Sequence, residues 1–426
     1  MKDFDVVVAG GGPAGSSTAN FLRQKNRRVL VLEREQFPRF HIGESLLPFA
    51  NDVWKELGVY DKMNATYIHK PGARFIHEES GADFTYYFDT SIRPGRPYAF
   101  QVKRAEFDLM LLEHAQSLGA EVRQRTKVED VAFNSDGVVV KASADGKTYE
   151  VSAEMFVDAT GRDALLAGRR QLKIPDGTIT TNVALHSMWK GVDRENGANE
   201  GNIVLGLFDG GWWWLIPFKD GDTSVGMVFE KHYTKVNRGL SSEEMYHQAI
   251  EQLPHLKHFL RNATRFLEVG SQGNWSYRSK VFYGERMLMV GDAAAFVDPL
   301  FSTGVLFAIN GAKFAAEHVD AALADGNYSA ERFARYQEQV IGGMDIFKDL
   351  VHEFYSQNLR KLLITSATNP TMCAVITSIL AGDVYKPSMW HSVVRRQGFS
   401  KLADLEQIPG VRSSRQAKPV EPVPEG

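Results

Sequence analysis

Four groups of residues in this 426-residue chain have the types and spacings that chemistry needs. Gly10, Gly12 and Gly15 stand in G-x-G-x-x-G spacing, directly after FDVVVA and at the head of SSTANFLRQKN. The first glycine of such a run permits a tight turn, the second lets a diphosphate reach the backbone, and the third lets helix and strand pack closely. The free N–H groups of the helix then receive the diphosphate. Glu33 closes RVLVLE, where an acid accepts a hydrogen bond from a ribose hydroxyl. Lys70 stands before Pro71-Gly72-Ala73, and an amine there gains nucleophilic character if burial lowers its pKa. Trp212, Trp213 and Trp214 are consecutive in GGWWWLIPF; on a strand Trp212 and Trp214 share one face and Trp213 takes the other. DPLFSTGV, from Asp298 to Val305, reads as a turn opening a helix, whose successive N–H groups make a nest for an anion.

Each group also has a plainer reading. A glycine-rich turn is common, most lysines are solvated surface residues, and large aromatics in strands usually fill a core. Glu44 and Ser45 in HIGESLLP, Asp292 in VGDAA, and Ser302 or Thr303 are all residue types that cap helices. The mechanics of the glycine motif alone leave NAD and FAD both open.

The elements that must position these groups are those of an α/β chain. FDVVVA and RVLVLE are short β-branched runs, as buried parallel strands require. MFVDATGRDA is expected to be another short strand ending in an acid and a glycine turn, and RMLMVGDAAAF a strand leading to a small-residue helix start. Strand-rich stretches at 75–88 and 182–229 predict a second sheet, with GNIVLGLFDGGWWWLIPFKDGDTSVGMVF as consecutive antiparallel strands turning at DGG and KDGD. From Ser329 the apolar residues recur at helical spacing, which predicts a C-terminal helical lobe. The expected division is a discontinuous dinucleotide-binding domain (1–74, 98–180, 275–328), a β-sheet substrate domain (75–97, 181–274), a helical lobe (329–412) and a disordered tail (413–426) rich in proline and charge.

Composition narrows the partners. With 49 basic and 52 acidic residues, the net charge of −3 gives no electrostatic reason to expect nucleic acid. A single cysteine, Cys373, forbids an intrachain disulfide and supplies no cysteine cluster for a metal, in keeping with a reducing cytoplasm. The N-terminal apolar run is too short for a signal peptide, and no stretch approaches the roughly 20 apolar residues of a membrane span. The expectation is a cytoplasmic protein without a metal site.

Taken together, HIGESLLP, KPGA, QVKRAEFD, WWWLIP, VGDAAAFVDPLFSTGV and LAGDVY, spread in order over roughly residues 1 to 390, resemble the flavin-dependent halogenases. The likeness is strongest to the pyrrole and phenol branch, including the type that dichlorinates a pyrrole tethered to a carrier protein. It implies an aromatic-hydroxylase-type FAD fold, with the ATG and GDAA segments serving FAD. Its implied cofactor contacts are Gly10, Gly12, Pro13, Ala14, Gly15, Glu33, Arg34, Gly43, Glu44, Ser45, Arg104, Asp292, Pro299, Gly304 and Val305. Halide is implied at Thr303 and Gly304, and a wall beside the flavin at Trp212, Trp214, Ile216 and Pro217. Lys70 is the implied catalytic residue, receiving or orienting hypohalous acid. FAD reduced by a separate flavin reductase would use O2 and chloride or bromide to halogenate an electron-rich aromatic, free or carrier-bound, in antibiotic or other secondary metabolism.

One departure bears on the substrate. Tryptophan halogenases place a glutamate before the Ser-Thr-Gly sequence, and this chain has Phe301, which implies a pyrrole or phenol instead of tryptophan. Two rivals share the FAD motifs: an aromatic monooxygenase or geranylgeranyl-reductase-like oxidoreductase, and a non-catalytic flavoprotein. Neither needs W-x-W-x-I-P or Lys70.

Overall fold

The β-branched run Phe4–Ala9 forms the middle of a mostly parallel sheet, as its uninterrupted burial from Val6 onward demands. Parallel neighbours flank it: Lys147–Asp158 on one side, then Met287–Met289; on the other Val29–Leu32, then Glu121–Arg123. The computed structural model describes residues 2–93, 95–175, 182–273, 276–356, 359–360, 363 and 369–385. The tail 413–426, and the part of the expected helical lobe beyond 385, lie outside the described residues.

The expected ATG strand is longer than its sequence suggested. Met155–Asp158 is only the end of the 12-residue strand Lys147–Asp158, whose first half pairs with the antiparallel ladder of Thr126–Asn134 and Gly137–Ala144. Asp158 is fully buried and turned to its own loop, accepting hydrogen bonds from Thr160 N (3.0 Å) and Leu166 N (2.8 Å). This acid therefore shapes a turn. Helix Pro13–Gln24 follows the glycine run and packs against Gly304–Asp325 and Arg104–Ser117.

A second sheet carries the tryptophans. Its strand order runs Thr264–Arg265, Val183–Lys190, Asp222–Phe229, Gly211–Pro217, Ile203–Phe208, Gly72–His77, Asp83–Tyr87. The turns at DGG and KDGD fall where expected, joining Ile203–Phe208 to Gly211–Pro217 and on to Asp222–Phe229 in antiparallel pairs. Register sorts the side chains by face. Phe75, Leu205, Trp214 and Gly226 stand in one cross-strand row, and Leu207, Trp212 and Val228 in the next. That face joins the large core shared with the first sheet. The other face, carrying Trp213, Leu215 and Met227, packs under helices Ser242–Gln252 and Pro254–Leu260.

Ile68–Lys70 and Ala99–Gln101 form a separate short antiparallel ladder. The helical segments expected after Ser329 form as Ala334–Tyr355 and Pro370–Leu380; Ser378 at the end of the latter accepts from Ile92 N at 2.8 Å. Among the described residues no helix is long and apolar enough to cross a membrane.

Candidate functional site

The glycine loop shows why each glycine is there. Gly10 has φ +101°, and a Cβ on it would collide with the Ala159 carbonyl; one on Gly15 would collide with the Gly10 carbonyl. Those two serve packing. A Cβ on Gly12 would meet only Arg39 Nη2, at 3.4 Å, so this glycine leaves open backbone beneath an arginine. Gly12 is the N-cap of helix Pro13–Gln24 and no side chain caps that end, so its N–H groups stay free for an anion. Glu33 holds the loop: its Oε2 accepts from Gly11 N at 2.6 Å and its Oε1 from Glu35 N at 2.7 Å.

A cavity of about 1330 Å³ runs from this loop to the tryptophans. It is lined by Gly10, Gly12, Pro13, Ala14, Glu33 and Arg34 at one end and by Trp212, Trp214, Ile216 and Pro299–Leu300 at the other, with Ser302–Val305. Gly43, Glu44, Ser45, Arg104 and Asp292 line it as well. Of the cofactor residues expected from the sequence, Gly15 alone does not line it. Its place is the crossing of helix and strand. The open N-terminus of the helix, the bare Gly12 backbone and the guanidiniums of Arg39, Arg104 and Arg162 suit a dinucleotide diphosphate. The volume exceeds the roughly 300–1,000 Å³ of an ordinary small-ligand pocket, so a dinucleotide such as FAD fits.

Charges along the cavity are arranged in relay. Arg104 Nε pairs with Asp108 at 2.7 Å, and its Nη1 reaches the Ile42 carbonyl at 2.8 Å. Arg39 pairs with the same Asp108 at 3.1 Å. Asp292 is pushed up to about 6 by burial, with Arg104 and Arg162 pulling the other way. Glu44 is raised by burial too, against hydrogen bonds from Gly43 N, its own N–H and Ser224. His41 is lowered to about 4 by burial and by the charge of Arg104, and stays neutral.

The aromatic wall follows from strand geometry. Trp212 and Trp214 lie 5.7 Å apart between ring centroids on the cavity face. Trp214 Nε1 donates to Ser224 Oγ at 3.2 Å, and Trp212 Nε1 to Tyr355 Oη at 3.2 Å. Tyr355 ends helix Ala334–Tyr355 and donates to Asp298, so the helical lobe ties the wall to the DPLFSTGV turn. Glycines make room for the indoles: a Cβ on Gly226 would run into the Trp214 ring, and one on Gly206 into Trp213. Trp213 donates to the buried Glu78 at 2.8 Å, away from the cavity. Pro217, expected in the wall, does not line the cavity. As the next residue after Ile216 on a strand it belongs to the opposite face.

At the DPLFSTGV turn, Asp298 Oδ1 accepts from Leu300 N at 2.9 Å and Ser302 takes a left-handed φ of +57°. This aims the chain into helix Gly304–Asp325, whose N-cap Thr303 makes no side-chain cap bond. The first N–H groups of a 22-residue helix thus face the cavity without a capping side chain. Phe301 is buried against Phe347 and Phe354.

Lys70 is 2% exposed and is not among the residues that line the cavity. Its Nζ donates to the Leu46 carbonyl at 3.0 Å and lies 5.4 Å from the Phe88 ring centre. Burial lowers it to about 7. Sequence reasoning passed over Arg39, Asp108, Arg162, Ser224 and Tyr355. Only the crowding of opposite charges within four residues in Arg104-x-x-x-Asp108 was visible beforehand, as a helical i, i+4 pair.

Known proteins resemble this chain in sequence and fold. The family model described as tryptophan halogenase matches residues 5–94 and 89–362. A 1H-pyrrole-2-carbonyl-peptidyl-carrier-protein chlorinase of Pseudomonas fluorescens is 34% identical over 408 residues, 90% of each chain. The corresponding brominase of Pseudoalteromonas luteoviolacea is 34% identical over 421 residues, 96% of this chain and 99% of the relative. The solved structure of the flavin-dependent brominase Bmp2 superimposes with a TM-score of 0.83 at 28% identity, covering 94% of this chain and 97% of that one.

Proposed function

The chain belongs to the tryptophan halogenase family and is a flavin-dependent halogenase, and on that premise we propose that its substrate is an electron-rich ring, a pyrrole carried on a peptidyl-carrier protein. The observation that carries the mechanism is a dinucleotide-sized cavity lined by arginines and by an indole wall, together with a buried lysine that meets no carboxylate among the described residues. Bound FAD, once reduced, supplies the electrons with which O2 converts halide to hypohalous acid.

This chain's residues divide the work. Gly12 and the helix after it hold the diphosphate, with Arg39 and Arg104 balancing its charge. The N–H groups at Thr303 and Gly304 hold chloride or bromide. Trp212, Trp214 and Ile216 keep an organic ring from the flavin side while a small oxidant passes. Lys70, as free amine, takes the halogen as an N–halogen bond, or as ammonium donates a hydrogen bond that makes it more electrophilic; a lysine near 7 supplies both forms. Phe301 in the core, where tryptophan-specific enzymes place an acid, supports an already electron-rich substrate. A separate flavin reductase would supply reduced FAD. On the same reading the chain divides into a discontinuous FAD-binding part, a β-sheet substrate part and a helical lobe.

The test offers the enzyme reduced FAD, O2 and either halide, with pyrrole-2-carbonyl loaded on a peptidyl-carrier protein or with free pyrrole and phenol. Mass gain on the carrier-bound pyrrole is expected. Halogenation of a free phenol alone would overturn the carrier assignment and leave the halogenase chemistry standing.

A further inference from the structure

Making hypohalous acid consumes a proton. Reduced FAD as FADH2, O2, one halide ion and one H⁺ give oxidised FAD, one hypohalous acid and one water. The O–O bond breaks, halide loses two electrons and gains one oxygen, and the second oxygen leaves as water. The two flavin hydrogens and the extra proton supply the three hydrogens of the products. A buried cavity therefore needs an acid that holds its proton at neutral pH.

Most groups lining the cavity are unsuited. Both Glu33 oxygens are taken up by the backbone N–H groups of Gly11 and Glu35, which commits this carboxyl to holding the loop. Asp292, pushed up to about 6 by burial, is pulled back by two guanidiniums, Arg104 and Arg162, and so is mostly ionised at pH 7. His41 Nδ1 donates to the Ile42 carbonyl at 2.6 Å, leaving a neutral ring with only an acceptor nitrogen free. Tyr277 gives its hydroxyl proton to the Asp292 carbonyl at 2.6 Å.

Resting on the halogenase reading, we propose that Glu44 is the proton donor of the oxidation half-reaction. Glu44 is 3% exposed, lines the cavity and has no ion-pair partner at contact distance among the described residues. Its Oε2 accepts from Gly43 N at 2.8 Å, and its carboxyl meets the Ser224 hydroxyl, which in turn accepts from Trp214 Nε1 at 3.2 Å. The acid is thus linked through Ser224 to the tryptophan wall, in the cavity that the Thr303–Gly304 turn also lines. Arg104, the cation nearest it, is already neutralised by Asp108, which Arg39 also meets; Asp292 lies beyond Arg104 and His41 on its own segment is uncharged. Burial raises Glu44 toward its neutral form. Neutrality also matters to the halide, which an ionised carboxylate in the same low-dielectric cavity would repel. After each turnover the carboxylate takes a new proton from solvent through the open end of the cavity.

Glu44→Gln keeps shape, neutrality and hydrogen bonds but has no acidic proton. Two readings decide. In flavin-free protein carrying ¹³C-labelled glutamate, the infrared difference between wild type and E44Q should contain a protonated-carboxyl band at pH 7. In stopped flow, halide-stimulated oxidation of bound reduced FAD should slow about 100-fold or more in E44Q, measured with FAD saturating both proteins. The wild-type rate should fall as pH rises through the Glu44 titration, with E44Q flat. An absent band, or an E44Q rate equal to wild type, overturns the proposal. So does loss of aryl product with normal flavin oxidation, which would mark Glu44 as a support for the wall. If E44Q does not fold, Glu44→Asp replaces it: the band should shift and the rate partly persist. A wild type whose flavin oxidation ignores both halides would instead refute the halogenase reading.

Discussion

Lys70 owes its chemistry to what surrounds it. With apolar neighbours, one carbonyl and, among the described residues, no carboxylate paired with it, the ammonium loses solvation and gains little in return. The free-amine fraction therefore grows as pH rises through about 7, where an exposed lysine would still be fully protonated. If the N–halogen route dominates, aryl halogenation should climb over that interval and level off above it, measured as product per flavin oxidised; a flat or falling profile would favour hydrogen-bond activation. Lys70→Ala should abolish aryl product while halide-stimulated flavin oxidation persists at near wild-type rate. Arginine at this position stays charged, so it should also fail, unless hydrogen bonding to hypohalous acid suffices.

At the scale of the strand Gly211–Pro217, two glycines on neighbouring strands decide where the indoles lie. Gly226 clears space for Trp214 on the cavity face and Gly206 for Trp213 on the opposite face. A methyl group at either position overpacks the sheet, so G226A and G206A should each cost about 1–3 kcal/mol in denaturant unfolding. Their effects on chemistry should differ. G226A displaces the wall and should release hypohalous acid to a solution trap at the expense of aryl product. G206A should leave that partition near wild type, because Trp213 points to Glu78 and the helices behind the sheet. Equal leakage from both would show that the wall depends on the whole strand.

For the molecule as a whole, folding and cofactor binding are linked at the glycine loop. FAD at about 100 times its dissociation constant should stabilise the fold by about 2.7 kcal/mol, read as a rise in Tm. Gly12→Val should erase that rise while leaving the flavin-free protein close to wild type, since a side chain there enters the cavity and meets only Arg39. Gly10→Val and Gly15→Val should unfold or fail to accumulate, because their Cβ positions are filled by backbone. The same motif thus splits into one functional and two architectural glycines.

Much of this could be read beforehand because it is local. The strand–glycine–helix run, Glu33 at the end of its strand, the two-faced tryptophan block and the helix-opening turn each depend on a few neighbouring residues and on the fixed periods of helix and strand. The alternation of Trp212, Trp213 and Trp214 needed nothing but a strand. Long-range packing decided the rest. That Asp158 serves a turn, that Pro217 faces away from the cavity, and that Lys70 sits 2% exposed against Leu46 and Phe88 follow from which elements meet. Ser224 and Tyr355 join the wall from a neighbouring strand and from a helix end more than a hundred residues away, partnerships that no spacing encodes. Residue type and period determine which groups are available for chemistry; a pKa near 7, a closed wall and a shared cavity arise only when distant segments exclude water around them.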